Sequence, residues 1–305
     1  MSDGITEQIK KLVKERNALI LAHNYQPPEI QDIADLTGDS LELSLLAAKT
    51  DADVIVFCGV LFMAETADIL SPDKTVLLPR LEAGCPLANM ITEEALSAKM
   101  KEIAEIPVVT YVNSPASVKA VSTICCTSAN ALKVVNSLDA DEILMVPDRN
   151  LAQYTASRTN KTVHYWNGFC PAHESLTAEQ VLSAKEAHPR AAFMAHPECR
   201  PEVLALADAI LSTSGMLKYA KASDINSFIV GTEEGILYPL RQQNPQKKFY
   251  TASDSMICKD MKRIKLVDIL GSLENIKPEI KVPKEMREPA FQAVQRMLKN
   301  YEYRL

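Results

Sequence analysis

The chain has 305 residues, 47% of them hydrophobic and 24% charged, with a net charge of -6 and seven cysteines. This is the composition of an ordinary soluble globular protein of about two domains, with one or three as alternatives. The negative balance excludes the basic stripe of a nucleic-acid binder and leaves an anionic substrate to be captured by local donors rather than by a positive global field.

Residues 1–16 are charged throughout and lack an apolar signal core. The first expected strand, 18–22, runs into His23-Asn24-Tyr25, and Asp39-Ser40 precede an expected helix over 41–49. A second strand at 53–57 leads through Gly59 into another helix. The longest uncharged apolar run, 54–64, falls short of the roughly 18–20 residues of a membrane span. A third strand, 75–78, is followed by Cys85. With neither span nor leader, the expected compartment is the cytoplasm, where disulfides are rare and cysteines are core residues, reactive thiols or metal ligands.

The same order then recurs twice. Strand 108–112 runs into Asn113-Ser114, Thr127-Ser128 precede a helix over 129–137, strand 142–146 leads into Pro147-Asp148, and strand 162–165 is followed by Cys170. Strand 191–195 runs into His196-Pro197-Glu198, Ser212-Thr213-Ser214 precede a helix over 215–222, strand 227–230 leads into Gly231-Thr232-Glu233, and strand 248–251 is followed by Cys258. The tail departs from the pattern. It reads as a helix over 262–274, a polar linker over 275–283, and an amphipathic helix over 284–300 whose stripe of Phe291, Val294, Met297 and Leu298 is expected to dock on the first unit.

Cys85, Cys170 and Cys258 are 85 and 88 residues apart, and Ser40, Ser128 and Ser214 are 88 and 86 apart. Two independent markers with one period imply an internal repeat. Strands alternating with helices imply parallel sheets with right-handed crossovers, and ligands bind outside the carboxyl ends of such strands. The expected fold is therefore α/β: three pseudo-threefold-related αβα units, each with a small parallel sheet, around a central cavity. The expected divisions are residues 1–84 with the tail 259–305, residues 85–169, and residues 170–258.

Three thiolates from three equivalent loops form one ligand set, and soft sulfur selects zinc, copper(I) or an iron–sulfur cluster. A [4Fe-4S] cluster held this way leaves one iron open as a Lewis acid. No CxxC run is present, which argues against a zinc ribbon or a ferredoxin. Cys58 reads as a core residue, Cys125 and Cys126 are adjacent and ill-suited to joint ligation, and Cys199 lies beside His196-Pro197-Glu198 without an assigned role.

The motifs His23-Asn24-Tyr25-Gln26, Tyr111-Val112-Asn113-Ser114, Gly168-Phe169-Cys170-Pro171-Ala172-His173, His196-Pro197-Glu198-Cys199, Ser212-Thr213-Ser214-Gly215-Met216, Gly231-Thr232-Glu233 and Cys258 before Lys259-Asp260-Met261 together resemble the quinolinate synthases, in family order and over almost the whole chain. Some members carry CxxCxxC around the last ligand, whereas this chain has Cys258 alone, like the shorter members. The resemblance implies condensation of iminoaspartate (iminosuccinate) with dihydroxyacetone phosphate to quinolinate, the pyridine precursor of NAD. It also implies a three-domain fold, one [4Fe-4S] cluster on Cys85, Cys170 and Cys258, and an aspartate oxidase or dehydrogenase as supplier of the unstable imine.

Glu198 is the expected general base, a carboxylate that a low-dielectric cavity would tune toward neutral pH. His23 and His196 are expected to donate to substrate oxygens or to shuttle protons. Tyr25, in a loop followed by Pro27-Pro28, is expected to close over substrate; Tyr111, Val112 and Asn113, with His196, Pro197 and Glu198, would line it. Ser40, Ser128 and Thr213, each at a helix start, would supply hydroxyl and amide donors to carboxylate or phosphate without lysine. Each alone is an ordinary helix cap, and either tyrosine alone an ordinary core residue. His173 is a second-sphere donor or proton carrier, Glu233 is structural or cavity-lining, and His164 and His188 carry no role. Two other readings stay open on residue chemistry alone: an aconitase-like hydro-lyase, and a non-catalytic zinc or redox-sensing protein.

Overall fold

The computed structural model describes residues 2–103 and 105–299. Its first sheet contains β1 (Ala18–His23), β2 (Leu36–Gly38), β3 (Val54–Cys58) and β4 (Thr75–Leu77). The second contains β5 (Val108–Tyr111), β6 (Ile124–Cys126), β7 (Glu142–Val146) and β8 (Thr162–Tyr165). The third contains β9 (Ala192–Ala195), β10 (Ala209–Ile210), β11 (Ser227–Gly231) and β12 (Lys248–Thr251). All pair in parallel, and each sheet places its first strand between its second and third, in the orders β2-β1-β3-β4, β6-β5-β7-β8 and β10-β9-β11-β12. Helices cover the faces, so the central strands read as continuous apolar runs; all five residues of β3 are buried. The expected three α/β units with small parallel sheets are observed.

Each repeat contributes one parallel strand more to its sheet than the periodicity gave. The extra strands, β2, β6 and β10, are only two or three residues long, too short for an alternation to register. They decide where the hydroxyl residues go: Asp39-Ser40 and Thr127-Ser128 follow immediately after β2 and β6, and Ser212-Thr213 follow one residue after β10. Chain order reverses around β1, β5 and β9, which opens a crevice at their carboxyl ends. There stand His23, Tyr111 and His196.

The tail differs from its expected arrangement. The linker contains β13 (Glu279–Ile280), which pairs antiparallel with β4 and lengthens the first sheet. The buried Asp68 holds it, accepting from the Val282 amide at 2.8 Å and from Lys281 Nζ at 3.1 Å. The final helix, Lys284–Lys299, buries Ala290, Ala293, Val294, Met297 and Leu298. It packs against the helices Leu61–Leu70 and Ala116–Ala120 and against β6, so it bridges the first two sheets instead of docking on the first alone. Small Ala290 and Ala293 permit the close approach, and Arg296 Nη1 donates to the Thr123 carbonyl at 2.5 Å. Asn300, expected to end this helix, lies outside the described residues.

Lys119, fully buried in the helix Ala116–Ala120, donates from Nζ to the Ser114 carbonyl at 2.5 Å. Glu65 from the first unit receives the Ala116 amide at 3.1 Å. This pair of contacts fixes the loop that carries Asn113.

Candidate active site

The carboxyl ends of the three sheets enclose a cavity of about 70 Å³. His23, Tyr25, Ser40 and Cys85 reach it from the strand ends and following loops of the first sheet, and Tyr111, Asn113, Ser128 and Cys170 from those of the second. His196, Glu198, Thr213 and Cys258 reach it from the third. Two expected residues do not line it. Val112 is buried in the core with its amide donated to the Cys126 carbonyl at 2.9 Å, and Pro197 faces an adjoining cleft. Among the described residues that line the cavity none is lysine or arginine.

Hydroxyl placement follows from capping. Asp39 caps the helix Ser40–Lys49, accepting the amides of Leu41 and Glu42 at 3.0 Å each. Ser212 caps the helix Thr213–Ala222 through the Gly215 amide at 3.2 Å. Ser40 and Thr213 are therefore first-turn residues relieved of capping. Thr213 Oγ1 accepts from Asn24 Nδ2 at 3.2 Å, and Ser128 Oγ lies 3.2 Å from His196 Nε2.

A chain of short contacts runs across the cavity wall. Tyr25 Oη is 2.6 Å from Thr232 Oγ1, and the same hydroxyl is 2.7 Å from His173 Nε2. His173 Nδ1 and His196 Nδ1 lie 3.0 and 3.2 Å from one oxygen of Glu198, Oε2, with the two imidazoles stacked at 4.6 Å. The second carboxylate oxygen, Oε1, is buried without a partner, as is Asn113 Oδ1. Sequence reasoning missed Thr232 because a lone threonine in a βα turn is indistinguishable from a turn residue. It left His173 undecided because only the fold places it beside Glu198.

Protonation follows from burial and these contacts. Burial, with His196 and Lys262 nearby, pushes His23 down to about 3, so its ring is neutral. Its Nδ1 accepts the Tyr25 amide at 3.1 Å, which leaves the ring proton on Nε2. Burial alone would raise Glu198, as expected from sequence, but the outcome is the reverse: His173 and His196 hold its carboxyl well below the usual range. Asp148 goes the other way, raised by burial and by the charge of Glu198. Burial, with Glu198 beyond it, keeps both Tyr25 and Tyr111 protonated. Burial likewise lowers His196 despite its bond to Glu198.

The thiols divide cleanly. Cys58, Cys125, Cys126 and Cys199 are buried in the core, whereas Cys85, Cys170 and Cys258 are partly exposed and face the cavity. Nearby backbone amides partly oppose the burial that raises these thiols: those of Leu87 and Ala88 at Cys85, His173 at Cys170, and Asp260 and Met261 at Cys258. Burial pushes Cys85 up to about 12, with the charge of Cys258 adding to it, and Cys170 is raised by burial, Glu198 and the other two thiols. Three such sulfurs cannot ionise together without a cation between them. Three partly exposed thiols converging on one cavity therefore fit a thiolate-bound metal centre. A nitrogen of His173 and an oxygen of Glu198 approach Cys170 Sγ, all within 4.8 Å of one another. They are already engaged with each other and with Thr232, so they border the cysteine site.

A family model described as Quinolinate synthetase A protein matches residues 7–299. A quinolinate synthase of Geotalea uraniireducens is 57% identical over 296 residues, covering 97% of each chain. One from Geobacter metallireducens is 56% identical over 297 residues, covering 97% of this chain and 98% of its own. Quinolinate synthase 1 of Methanosarcina acetivorans is 53% identical over 294 residues, covering 96% and 97%.

Proposed function

Because the chain belongs to the quinolinate synthase family, we propose that it condenses iminoaspartate (iminosuccinate) with dihydroxyacetone phosphate. The products are quinolinate, phosphate and water, and the reaction supplies the pyridine ring of NAD. The observation that carries this reading is the convergence of three thiols, two tyrosines and the Glu198–histidine group on one cavity. The proposed cofactor is one [4Fe-4S] cluster on Cys85, Cys170 and Cys258. When bound it supplies an iron not ligated by cysteine, a Lewis acid toward a substrate oxygen.

The protein's own groups bind, orient and move protons. Ser40, Ser128 and Thr213, with His23 Nε2–H, offer donors for carboxylate and phosphate oxygens in a cavity without lysine or arginine. Tyr111 donates a phenol hydrogen, and the unpartnered Asn113 Oδ1 accepts one from substrate. Val112, its amide held by the Cys126 carbonyl, and Pro197, in the adjoining cleft, flank the residues that touch substrate. A proton given up by substrate to Tyr25 passes through Thr232 to His173 Nε2, and Glu198 at 3.0 Å stabilises the imidazolium formed. Glu198 thus serves as base together with His173 and His196 instead of alone, since its own affinity for a proton is low.

We place the divisions at residues 1–84 with 259–305, 85–169 and 170–258. Free thiols among the described residues agree with a cytoplasmic location, and no helix there is long and apolar enough to cross a membrane. An aspartate oxidase or dehydrogenase is the proposed supplier of the imine. The test is protein purified without oxygen. About four irons and four sulfides per chain, brown colour, and quinolinate from the two substrates but no turnover of simple hydroxyacids are expected. One zinc per colourless, folded chain would refute the cofactor and the mechanism.

A further inference from the structure

The turn after β11 is tied to two parts of the site at once. Glu233 in that turn is fully buried. Its Oε1 accepts the Cys258 amide at 3.1 Å, and its Oε2 accepts the Gly235 amide at 2.7 Å. Lys262 Nζ neutralises it from 2.8 Å at Oε1 and 3.1 Å at Oε2, and the same ammonium donates to the Tyr25 carbonyl at 2.6 Å. Gln31 Nε2 binds the carbonyls of Asn24, Gln26 and Gly235 at 3.1, 2.8 and 3.2 Å, so the Tyr25 segment is laced to this turn on both sides. The Tyr25 phenol itself ends on Thr232, the residue before Glu233.

The repeat supplies an internal comparison. At the equivalent place after β7, buried Asp148 accepts the Cys170 amide at 3.2 Å and the Leu151 amide at 2.7 Å. At the equivalent place after β3 stands Val60, and the Cys85 loop is held instead by Leu61 donating to the Ala83 carbonyl at 2.8 Å. A carboxylate gripping a cysteine loop thus occurs twice, and at Glu233 a lysine extends the grip to the tyrosine.

We propose that Glu233, paired with Lys262, is a positioning residue that fixes the Cys258 sulfur and the Tyr25 phenol relative to one another. This rests on reading Cys258 as a cluster ligand. Groups that orient ligands from one shell out change metal affinity or activity by about 10–100-fold when replaced, and displacing a reacting group is comparably costly.

The test compares Lys262→Met, Lys262→Arg, Glu233→Gln and Cys258→Ser, each purified without oxygen. Iron and sulfide content, the rate of bleaching by a strong iron chelator, kcat and KM are measured. Lys262→Met is expected to keep its iron and sulfide, to bleach about 10-fold faster, and to lose about 10–100-fold in kcat with KM changed less than about threefold. Lys262→Arg recovers most of both rates. Glu233→Gln, of equal volume, shifts both in the same direction and serves where Lys262→Met fails to fold. Wild-type kcat and bleaching in Lys262→Met or Glu233→Gln overturn the proposal, as does a fall in kcat with unchanged bleaching. Full iron and colour in Cys258→Ser would remove the ligand reading and the proposal with it. Iron loss in Cys258→Ser beside wild-type behaviour of the other variants would remove the proposal alone.

Discussion

Replacing Thr232 with valine removes one hydroxyl and strands two buried groups. Tyr25 Oη at 2.6 Å and His173 Nε2 at 2.7 Å both depend on it, and their residues are 8% and 1% exposed, so water does not reach them freely. An unsatisfied buried donor or acceptor costs about 1–3 kcal/mol, so the two together cost about 2–6 kcal/mol of stability. The catalytic loss is separate. A positioned proton-transfer group contributes about 10²–10⁴-fold, equivalent to about 3–5 kcal/mol at the barrier. Thr232→Val should therefore lower kcat by that range while leaving the iron content intact, since Thr232 touches no cysteine in the hydrogen bonds observed. Thr232→Ser, which keeps the hydroxyl, should recover most of the rate. The assay is quinolinate formation without oxygen, alongside thermal unfolding and iron analysis. A valine variant within about threefold of wild-type kcat would show that no proton passes through Thr232.

The other predictions are more direct. Alanine at Cys85, Cys170 or Cys258 should abolish brown colour and activity, whereas alanine at Cys58 or Cys126, both buried in the core, should leave the colour; a folded but colourless Cys58→Ala protein would sink the ligand assignment. His23 is held neutral, pushed down to about 3, so its contribution to stability is complete above the unfolded value near 6.5 and is lost as pH falls toward 3. Between pH 7.5 and 5.5 this amounts to about 1.4 kcal/mol, and unfolding of His23→Asn across that interval should show a correspondingly flatter pH dependence; equal slopes would contradict the neutral assignment. A Cβ on Gly235 would sit 2.6 Å from the Tyr25 carbonyl oxygen and 2.7 Å from its carbon. Gly235→Ala should therefore cost about 1–3 kcal/mol and lower kcat by displacing Tyr25, and an unchanged melting temperature would mean the backbone yields there without cost.

The sequence by itself determined the repeat, because period and residue type are local properties. Buried parallel strands need apolar runs, helices between them need caps, and the three units repeat the same order of strand, hydroxyl cluster and cysteine, so α/β architecture and converging strand ends follow from the chain alone. The residues now found around the cavity, His23, Tyr25, Tyr111, Asn113, His196 and Glu198 among them, were legible because they stand at or near strand ends that must face a crevice and because their motifs resemble those of a known family. What only the tertiary structure decided are the relations between units. Strands β2, β6 and β10 are too short to show a period, and the final helix proved to bridge two sheets, because an apolar stripe records that a face is buried without naming its partner. Burial alone argues for a raised Glu198; two imidazoles at 3.0 and 3.2 Å reverse that, and one lies 25 residues away in sequence. Thr232 and Lys262 carry no signal in the chain, since a hydroxyl or an ammonium becomes functional only when folding sets it between partners hundreds of residues apart, such as Tyr25 with Thr232 and Lys262.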